Sequence, residues 1–473
     1  MQSDPEIIHE SLYNQMNKLV VGPLRESTIS TVVIIDALDE CKDDEPASAI
    51  LSVLGQFVFE IPKVKFFLTG CPEPHIWGGF HLPLLAEATK VLILHNIDLS
   101  LVTNDIQLFL KQSFLELSHR HGLDGWPAKK QLGQLCERAA GLFVYAVATV
   151  KFIDHKNKNP REQLDKLLQS PESSAYEGKT KFNADKTLDL LYITILQEAF
   201  GQDDPNDDPG IHSVLGAAML AANPLSPSTI STLLCIDPIS IFLLLSSIQS
   251  LLILQDVNYP VRPFHKSFPD FIVDPARCTN QRFHISPPDH HSELLMGCLR
   301  LMNQRLKKNM CKIPDTVTNS EVDDLQERIM QCIDHSLQYG CESWHKHLVD
   351  VPTTPAYTLK ITSILYQFLE EKFLFWLEVL SVLGTTRNAV DALEAAAKWL
   401  EVCLVYMLDV ILEFTYTGPR HHQHLTLSMT VFNLSLGSMR SSAYPLPISI
   451  TQPFPYPPKH QLCRGYINNM LIP

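Results

Sequence analysis

Thr31-Val32-Val33-Ile34-Ile35-Asp36-Ala37-Leu38-Asp39-Glu40-Cys41 is the stretch whose reading decides the fold. Five β-branched residues in an unbroken run, closed by an acid, predict a strand buried on both faces of a parallel sheet. A connection with Ile50, Leu51, Leu54, Phe57 and Val58 at helical spacing follows, then a second run, Val64 to Thr69, and a third, Val91 to Leu94. Strand, crossover helix, strand at roughly thirty residues per unit is the βαβ order. A carboxylate at the carboxyl end of such a strand sits in the crevice where open α/β sheets take ligands. Asp36 there suits a magnesium ion held through water, and Asp39 or Glu40 suits orienting or deprotonating a water. Three acids in five residues also suit a solvated loop, and the residues alone leave both readings open.

Outward from this core the pattern turns helical. Ser11 to Leu24 places Leu12, Met16, Leu19 and Val20 on one face, and beyond Asn104 the spacing predicts helices over Ile106 to Leu117, Gln131 to Ile153 and Arg161 to Leu168. Ser170 to Thr180 reads as a linker. Helices over Ile211 to Ala222, Ser226 to Leu234 and Ile239 to Ser250 then lead into Leu251 to Asp256, a turn at Asn258-Tyr259-Pro260 and a return run to His265. Three helices and a hairpin in that order predict a winged helix. Residues 289 to 416 are helical by period, with His290-His291 opening a helix behind Asp289 as its cap, and Gly418 to Pro473 reads as an irregular tail.

Composition bounds the function. The 473 residues carry 38 Lys+Arg against 52 Asp+Glu, a net charge of −14, which repels phosphate backbones and anionic membranes. Neither a nucleic acid nor a membrane is expected as partner. The 45% hydrophobic content supports a real core and excludes disorder as the main state. Eleven cysteines, spread singly from Cys41 to Cys463, read as free thiols of a reducing compartment. With no signal peptide visible, a cytoplasmic location is expected. His421-His422-x-His424 offers imidazoles to a transition metal or is simply solvated, and the acidic run from Asp203 to Asp208 lacks the ligand spacing of an EF-hand.

Downstream of the acids comes Phe66-Phe67-Leu68-Thr69-Gly70-Cys71-Pro72-Glu73-Pro74-His75-Ile76. In order follow Ala140-Gly141-Leu142-Phe143-Val144-Tyr145-Ala146, Leu188-Asp189-Leu190-Leu191-Tyr192 and His265-Lys266-Ser267-Phe268-Pro269-Asp270-Phe271. With these segments, spread over roughly residues 5 to 416, the chain resembles the NACHT NTPases of the STAND class. The likeness is to their fungal, NLR-like, WD-repeat-associated group with a nephrocystin-3-like N-terminal part. The resemblance implies α/β plus α: an incomplete P-loop NTPase core with a parallel sheet over 1–98 and a helical domain with linker over 99–182. A winged helix over 183–287, a second helical domain over 288–416 and a tail over 417–473 complete it. It further implies Asp36 as the magnesium aspartate, Asp39 and Glu40 as the hydrolytic pair, and His265 as a contact to the diphosphate of ADP. Without the resemblance, His265 reads as a wing histidine bonded to a backbone carbonyl.

The chain also departs from the family. No G-x-x-x-x-G-K-[S/T] loop precedes Asp36, and Gly178-Lys179-Thr180 has Ser173 where the first glycine belongs. Cys71 stands where the family has arginine, so the charged fork for a γ-phosphate is replaced by a small thiol, expected to be buried. No propeller-length repeat is present. The expectation is therefore a truncated, degenerate signalling module whose acids are vestigial. It would bind no cofactor tightly, where full-length relatives take ATP or ADP and magnesium. It would act through protein partners, among them further copies of itself or full-length paralogues. The alternative is a working ATP-binding switch whose phosphate loop is missing only from the gene model. In either case a parallel sheet short of strands predicts a less stable N-terminal part.

Overall fold

In the computed structural model the described residues are 7, 10–25, 27, 29–41, 44–71, 73–155, 158–169, 184–201, 209–314 and 317–417. The linker at Ser170 to Thr180, Gly178-Lys179-Thr180, the acidic run, the triple-histidine segment and the tail lie outside them. The chain divides into two units, Met1–Cys403 and Leu404–Pro473. Of the second unit only the helical backbone to Thr417 is described.

The described chain is mostly helical with one small parallel sheet. The N-terminal part holds α1 (Leu12–Met16) and α2 (Gly22–Arg25) joined by a π turn, then β1 (Thr31–Ile35), α3 (Asp44–Phe57), β2 (Val64–Leu68), α4 (Pro74–Phe80) and α5 (Pro83–Ala88). β1 and β2 pair in parallel with Thr31 opposite Val64 and Ile35 opposite Leu68. The βαβ reading of these two strands therefore holds, but the strand is not buried on both faces. Its burial alternates, and Val32, Ile34 and Phe67 stand 63%, 69% and 59% exposed on one side. On the other side Val33, Val64 and Phe66 pack with Val21, Phe57 and Ile61, and Ile35 and Leu68 pack with Leu51, Leu54, Ile76 and Leu85. Among the described residues only one layer of helices covers the sheet, so β-branched residues that suit a two-sided sheet are exposed on the second side.

The third expected strand is absent. Val91 to Ile93 run as irregular chain and Leu94–Asn96 form a 3-10 turn, with Leu92 and Leu94 exposed. A strand exists only by pairing, and among the described residues none lies beside this run to supply a ladder.

From Leu99 onward the chain is a helical body: α6 (Leu99–His121), α7 (Lys129–Ala139), α8 (Phe143–Ile153), α9 (Pro160–Gln169) and α10 (Ala184–Phe200). The single helix expected over Gln131 to Ile153 is broken into α7 and α8. Ala140 and Gly141 take φ of 48° and 85°, left-handed values that end a helix, and a Cβ on Gly141 would stand 2.7 Å from the Leu99 side chain. Next come α11 (Pro209–Leu220), α12 (Pro227–Leu234), α13 (Pro238–Ser246) and a short antiparallel pair, β3 (Leu252–Ile253) with β4 (Arg262–Pro263). Three helices and a hairpin thus occur in the expected order. Ser226 and Asp237 cap α12 and α13 through their side chains.

α14 (Ser267–Val273), α15 (Pro287–Arg305), α16 (Leu325–Cys332), α17 (His335–Val349), α18 (Pro355–Glu371), α19 (Phe373–Leu383) and α20 (Arg387–Thr417) follow. His290 and His291 do lie in the first turns of α15, but its cap position is Ser286. Asp289, inside the helix, accepts a hydrogen bond from the Tyr357 hydroxyl instead. One continuous hydrophobic cluster runs from Ile106 to Cys403, with Trp344, Phe368 and Trp376 packed edge to face at its centre. The described cysteines, Cys41 to Cys403, are free thiols. Among the described residues no helix is long and apolar enough to cross a membrane.

Candidate functional site

The carboxyl ends of β1 and β2 are stitched together by Thr69. Its N–H continues the ladder to the Ile35 carbonyl at 3.0 Å, and its carbonyl accepts from the Leu38 N–H at 2.9 Å. Its hydroxyl receives the Ala37 N–H at 2.8 Å and donates to a carboxylate oxygen of Asp36. Ala37 takes the left-handed conformation, φ 55° and ψ 55°. For a residue with a Cβ this costs about 1 kcal/mol, and the Thr69 bonds hold it there. The turn swings Leu38 inward, where it is buried, and starts the 3-10 turn Leu38–Glu40. Asp36 is left exposed just beyond the carboxyl end of β1. The side chain of Glu40 lies outside the described residues.

Asp39 is the best-held acid. Its side chain is 6% exposed, and Oδ2 accepts from the Lys266 ammonium at 2.6 Å. A Cβ on Gly70 would stand 3.4 Å from Asp39 Oδ1, so the glycine lets the carboxylate lie close against the backbone. Burial alone would raise the Asp39 pKa. Hydrogen bonds from Lys266 and from the Cys71 thiol and backbone outweigh it and bring it down to about 2. Lys266 also approaches Glu73 Oε1 at 3.4 Å. Despite partial burial, these partners hold its ammonium above the ordinary lysine range. Cys71 is exposed rather than the buried thiol expected from its strand-end position. Partial loss of solvent at its sulfur, together with the hydrogen bond to and charge of the Asp39 carboxylate, pushes the thiol up, so it stays protonated and donates.

Lys266 belongs to a turn held from several sides. Phe264 donates its N–H to the Leu251 carbonyl at 2.7 Å, extending the β3–β4 pair. The Lys151 ammonium, from α8, sits 3.5 Å from the centre of the Phe264 ring. His265 is exposed and turns back on its own loop: Nδ1 accepts the Ser267 N–H at 3.2 Å and lies 2.7 Å from the Ser267 hydroxyl. An accepting Nδ1 fixes the neutral ring as the Nε2–H tautomer, leaving Nε2–H as its remaining donor. The carbonyl-bonded wing histidine is thus corrected; a hydroxyl and an amide hold it. Ser267 in turn lies 2.7 Å from the Tyr192 hydroxyl, whose buried ring packs on Phe268 and Phe271. Burial raises Tyr192 to about 12, so this hydroxyl keeps its proton. Three residues earlier, Asp189 receives both Nε and a terminal nitrogen of Arg277.

Two segments quoted from the sequence, Leu188 to Tyr192 and His265 to Phe271, are therefore one packed unit, and Lys266 carries it to the acids behind β1. The sequence reading placed Asp36, Asp39, Glu40 and His265 in the site and passed over Lys266, Thr69 and Glu73. Lys266 lies 227 positions from Asp39, and no local pattern marks such a pair.

No family model matches the chain, and no solved structure matches it. It is similar to the vegetative incompatibility protein HET-E-1 of Podospora anserina, 21% identical over 389 residues. The alignment takes in 77% of this chain and 26% of HET-E-1, so the chain spans about a quarter of the length of that relative.

Proposed function

We propose that this chain is a NACHT-type module of the STAND class that works in signalling by protein contact, with a degenerate nucleotide site. The distant similarity to an incompatibility protein supports the class, as does the order of the quoted segments. In this reading residues 1–98 are a partial NACHT core, 99–182 a helical domain, 183–287 a winged helix and 288–416 a second helical domain. The observation that carries the degenerate reading is the state of the acids. The carboxylate best placed behind the strand, Asp39, is already satisfied by Lys266 and Cys71, while Asp36 faces solvent beside Thr69.

A magnesium ion is usually held by one or two carboxylates with several waters. Asp36 fits that description, and Asp39 does so only when Lys266 leaves it. Bound there, magnesium would neutralise phosphate charge. What these residues do themselves is orient Asp36 through the Thr69 hydroxyl and keep Asp39 ionised. His265 offers Nε2–H outward, a donor suited to an oxyanion. The residues before Asp36 contain no glycine-rich lysine loop to cradle a triphosphate. Calorimetry with magnesium and ADP tests the reading, with no resolvable binding heat expected.

The second reading, a working ATP switch, draws on the same geometry. The metal-side acids and the His265 turn meet at one place, as a nucleotide-closed form would require. Binding that depends on His265 would favour it.

A further inference from the structure

The turn between α11 and α12 is joined to α15 and α17 by a chain of polar side chains. The Ala222 N–H donates to the Tyr339 hydroxyl oxygen at 3.0 Å, and that hydroxyl lies 2.7 Å from His347 Nε2. His347 Nδ1 lies 2.9 Å from His291 Nδ1, and His291 Nε2 stands 3.5 Å from Asp350 Oδ2. Tyr339 and His347 are buried; the side chain of His291 is 12% exposed and that of Asp350 50%. The partners fix the protons. Tyr339 already receives an N–H, so its own proton goes to His347 Nε2, and burial raises the hydroxyl's pKa so that the proton stays. A ring whose Nε2 accepts carries its proton on Nδ1, so His347 donates to His291 Nδ1. His291 then carries its proton on Nε2, turned to the Asp350 carboxylate. The donors thus run one way, from Ala222 to Asp350, with both imidazoles neutral.

We infer that the His291–His347 pair is an acid-sensitive joint: neutral, it ties the α11–α12 turn to α15 and α17, and on taking up one proton it releases that turn. The proton count leaves one outcome. Two N–H groups cannot face each other across 2.9 Å, so one Nδ1 of the pair must accept. When a proton arrives, the Nδ1 proton either stays on His347 or passes to His291, whose charge then faces Asp350. In both cases the incoming proton is held on His347 Nε2. That N–H meets a Tyr339 oxygen already bonded by Ala222, and the buried Tyr339 proton loses its acceptor, which a buried donor cannot do without cost. The groups around the pair do not relieve this. On α15, Asp289 accepts from Tyr357 of α18, and Glu293 is engaged by His290 at 3.4 Å and by Ser213 of α11 at 2.8 Å. The only ionisable residue of α11 is His212, α12 has none, and the other charged residues of α18 are exposed. Glu378 of α19 accepts from the Asn309 N–H. His345 and Lys346 precede His347 on α17, and the thiols of Cys298 and Cys341 stay protonated by burial. The unfolded chain takes up histidine protons near pH ~6.5 without this cost. The joint is therefore whole above about pH 7 and is lost as the pH falls through about 6.

This inference does not rest on nucleotide binding, and its test uses the full chain without nucleotide. Nitrogen-15 NMR of histidine-labelled protein at pH 7.5 should show His347 protonated at Nδ1 alone and His291 at Nε2 alone, each signal identified by its loss in His347→Gln or His291→Gln. Hydrogen exchange, corrected for its intrinsic dependence on pH, would be followed in peptides covering residues 216–226 and 336–350. Lowering the pH from 7.5 to 5.5 should speed exchange at least tenfold in both, with residues 104–117 of α6 unchanged. In His347→Gln, whose amide does not titrate, that step should vanish. Wild-type exchange in the two peptides that follows the same pH profile as α6 would overturn the joint, as would a step that persists in His347→Gln. Should that variant not fold, the wild-type profile still decides, and a His347 ring protonated at Nε2 at pH 7.5 would overturn the joint equally.

Discussion

Asp39→Asn keeps the shape of the side chain and removes its charge, so it isolates the electrostatic share of the contact with Lys266. In the folded chain the Asp39 carboxyl titrates at about 2, against 3.8 when unperturbed. The gap, 3.8 − 2, is about 1.8 pH units, and at 1.36 kcal/mol per unit it corresponds to about 2 kcal/mol in favour of the folded, ionised form. Salt screening at the one-third exposed lysine makes this an upper bound. The sign follows from the order of the two values. A folded-state pKa below the unfolded one gives a contribution that is complete above pH ~4, falls to about half by pH 3 and is lost near 2. Pulse proteolysis in a urea series, reading fragments from residues 7–98, measures it on wild type and variant at pH 7, 5 and 3. The variant should be weaker by about 1 to 2 kcal/mol at pH 7 and 5, with the difference roughly halved at pH 3. Equal stability at pH 7, or a difference that does not shrink by pH 3, would refute the reasoning.

Two further outcomes follow from the same structure. Asp189→Ala leaves Arg277 partly buried without its carboxylate and should destabilise the helical body by about 2 to 4 kcal/mol, read as a lower urea midpoint with unchanged slope; a shift below 0.5 kcal/mol would count against the pair as an anchor. The exposed sheet face predicts self-association. Replacing Ile34 and Phe67 together by Thr should lower the apparent mass in light scattering at high protein concentration and barely change thermal stability.

What the sequence made legible is what local periodicity encodes. The run Thr31 to Ile35, the crossover helix and Val64 to Leu68 are all readable because side-chain alternation and helical spacing are properties of neighbours in the chain. The position of Asp36 and Asp39 just behind β1 was readable because they directly follow the strand's run in the chain. Val91 to Leu94 shows the limit. Its residues suit a strand, but a strand is made by its partner, and the run remains unpaired chain. The same limit hid the open face of β1, since a β-branched run says which residues can be covered and not what covers them. Ala140-Gly141 did carry a stop signal inside an apolar period, and it splits α7 from α8. Lys266 carried none: a lysine between histidine and serine is ordinary until the fold brings it 2.6 Å from Asp39. Cys71 was misplaced for a related reason, because strand ends are buried only where a further layer covers them.

The most direct test of the central claim is calorimetric titration of magnesium and ADP into the purified full chain at pH 7. The account predicts heats indistinguishable from dilution up to millimolar nucleotide, in wild type and in His265→Ala alike. A micromolar Kd in wild type that is lost in His265→Ala would contradict it and establish a working nucleotide switch.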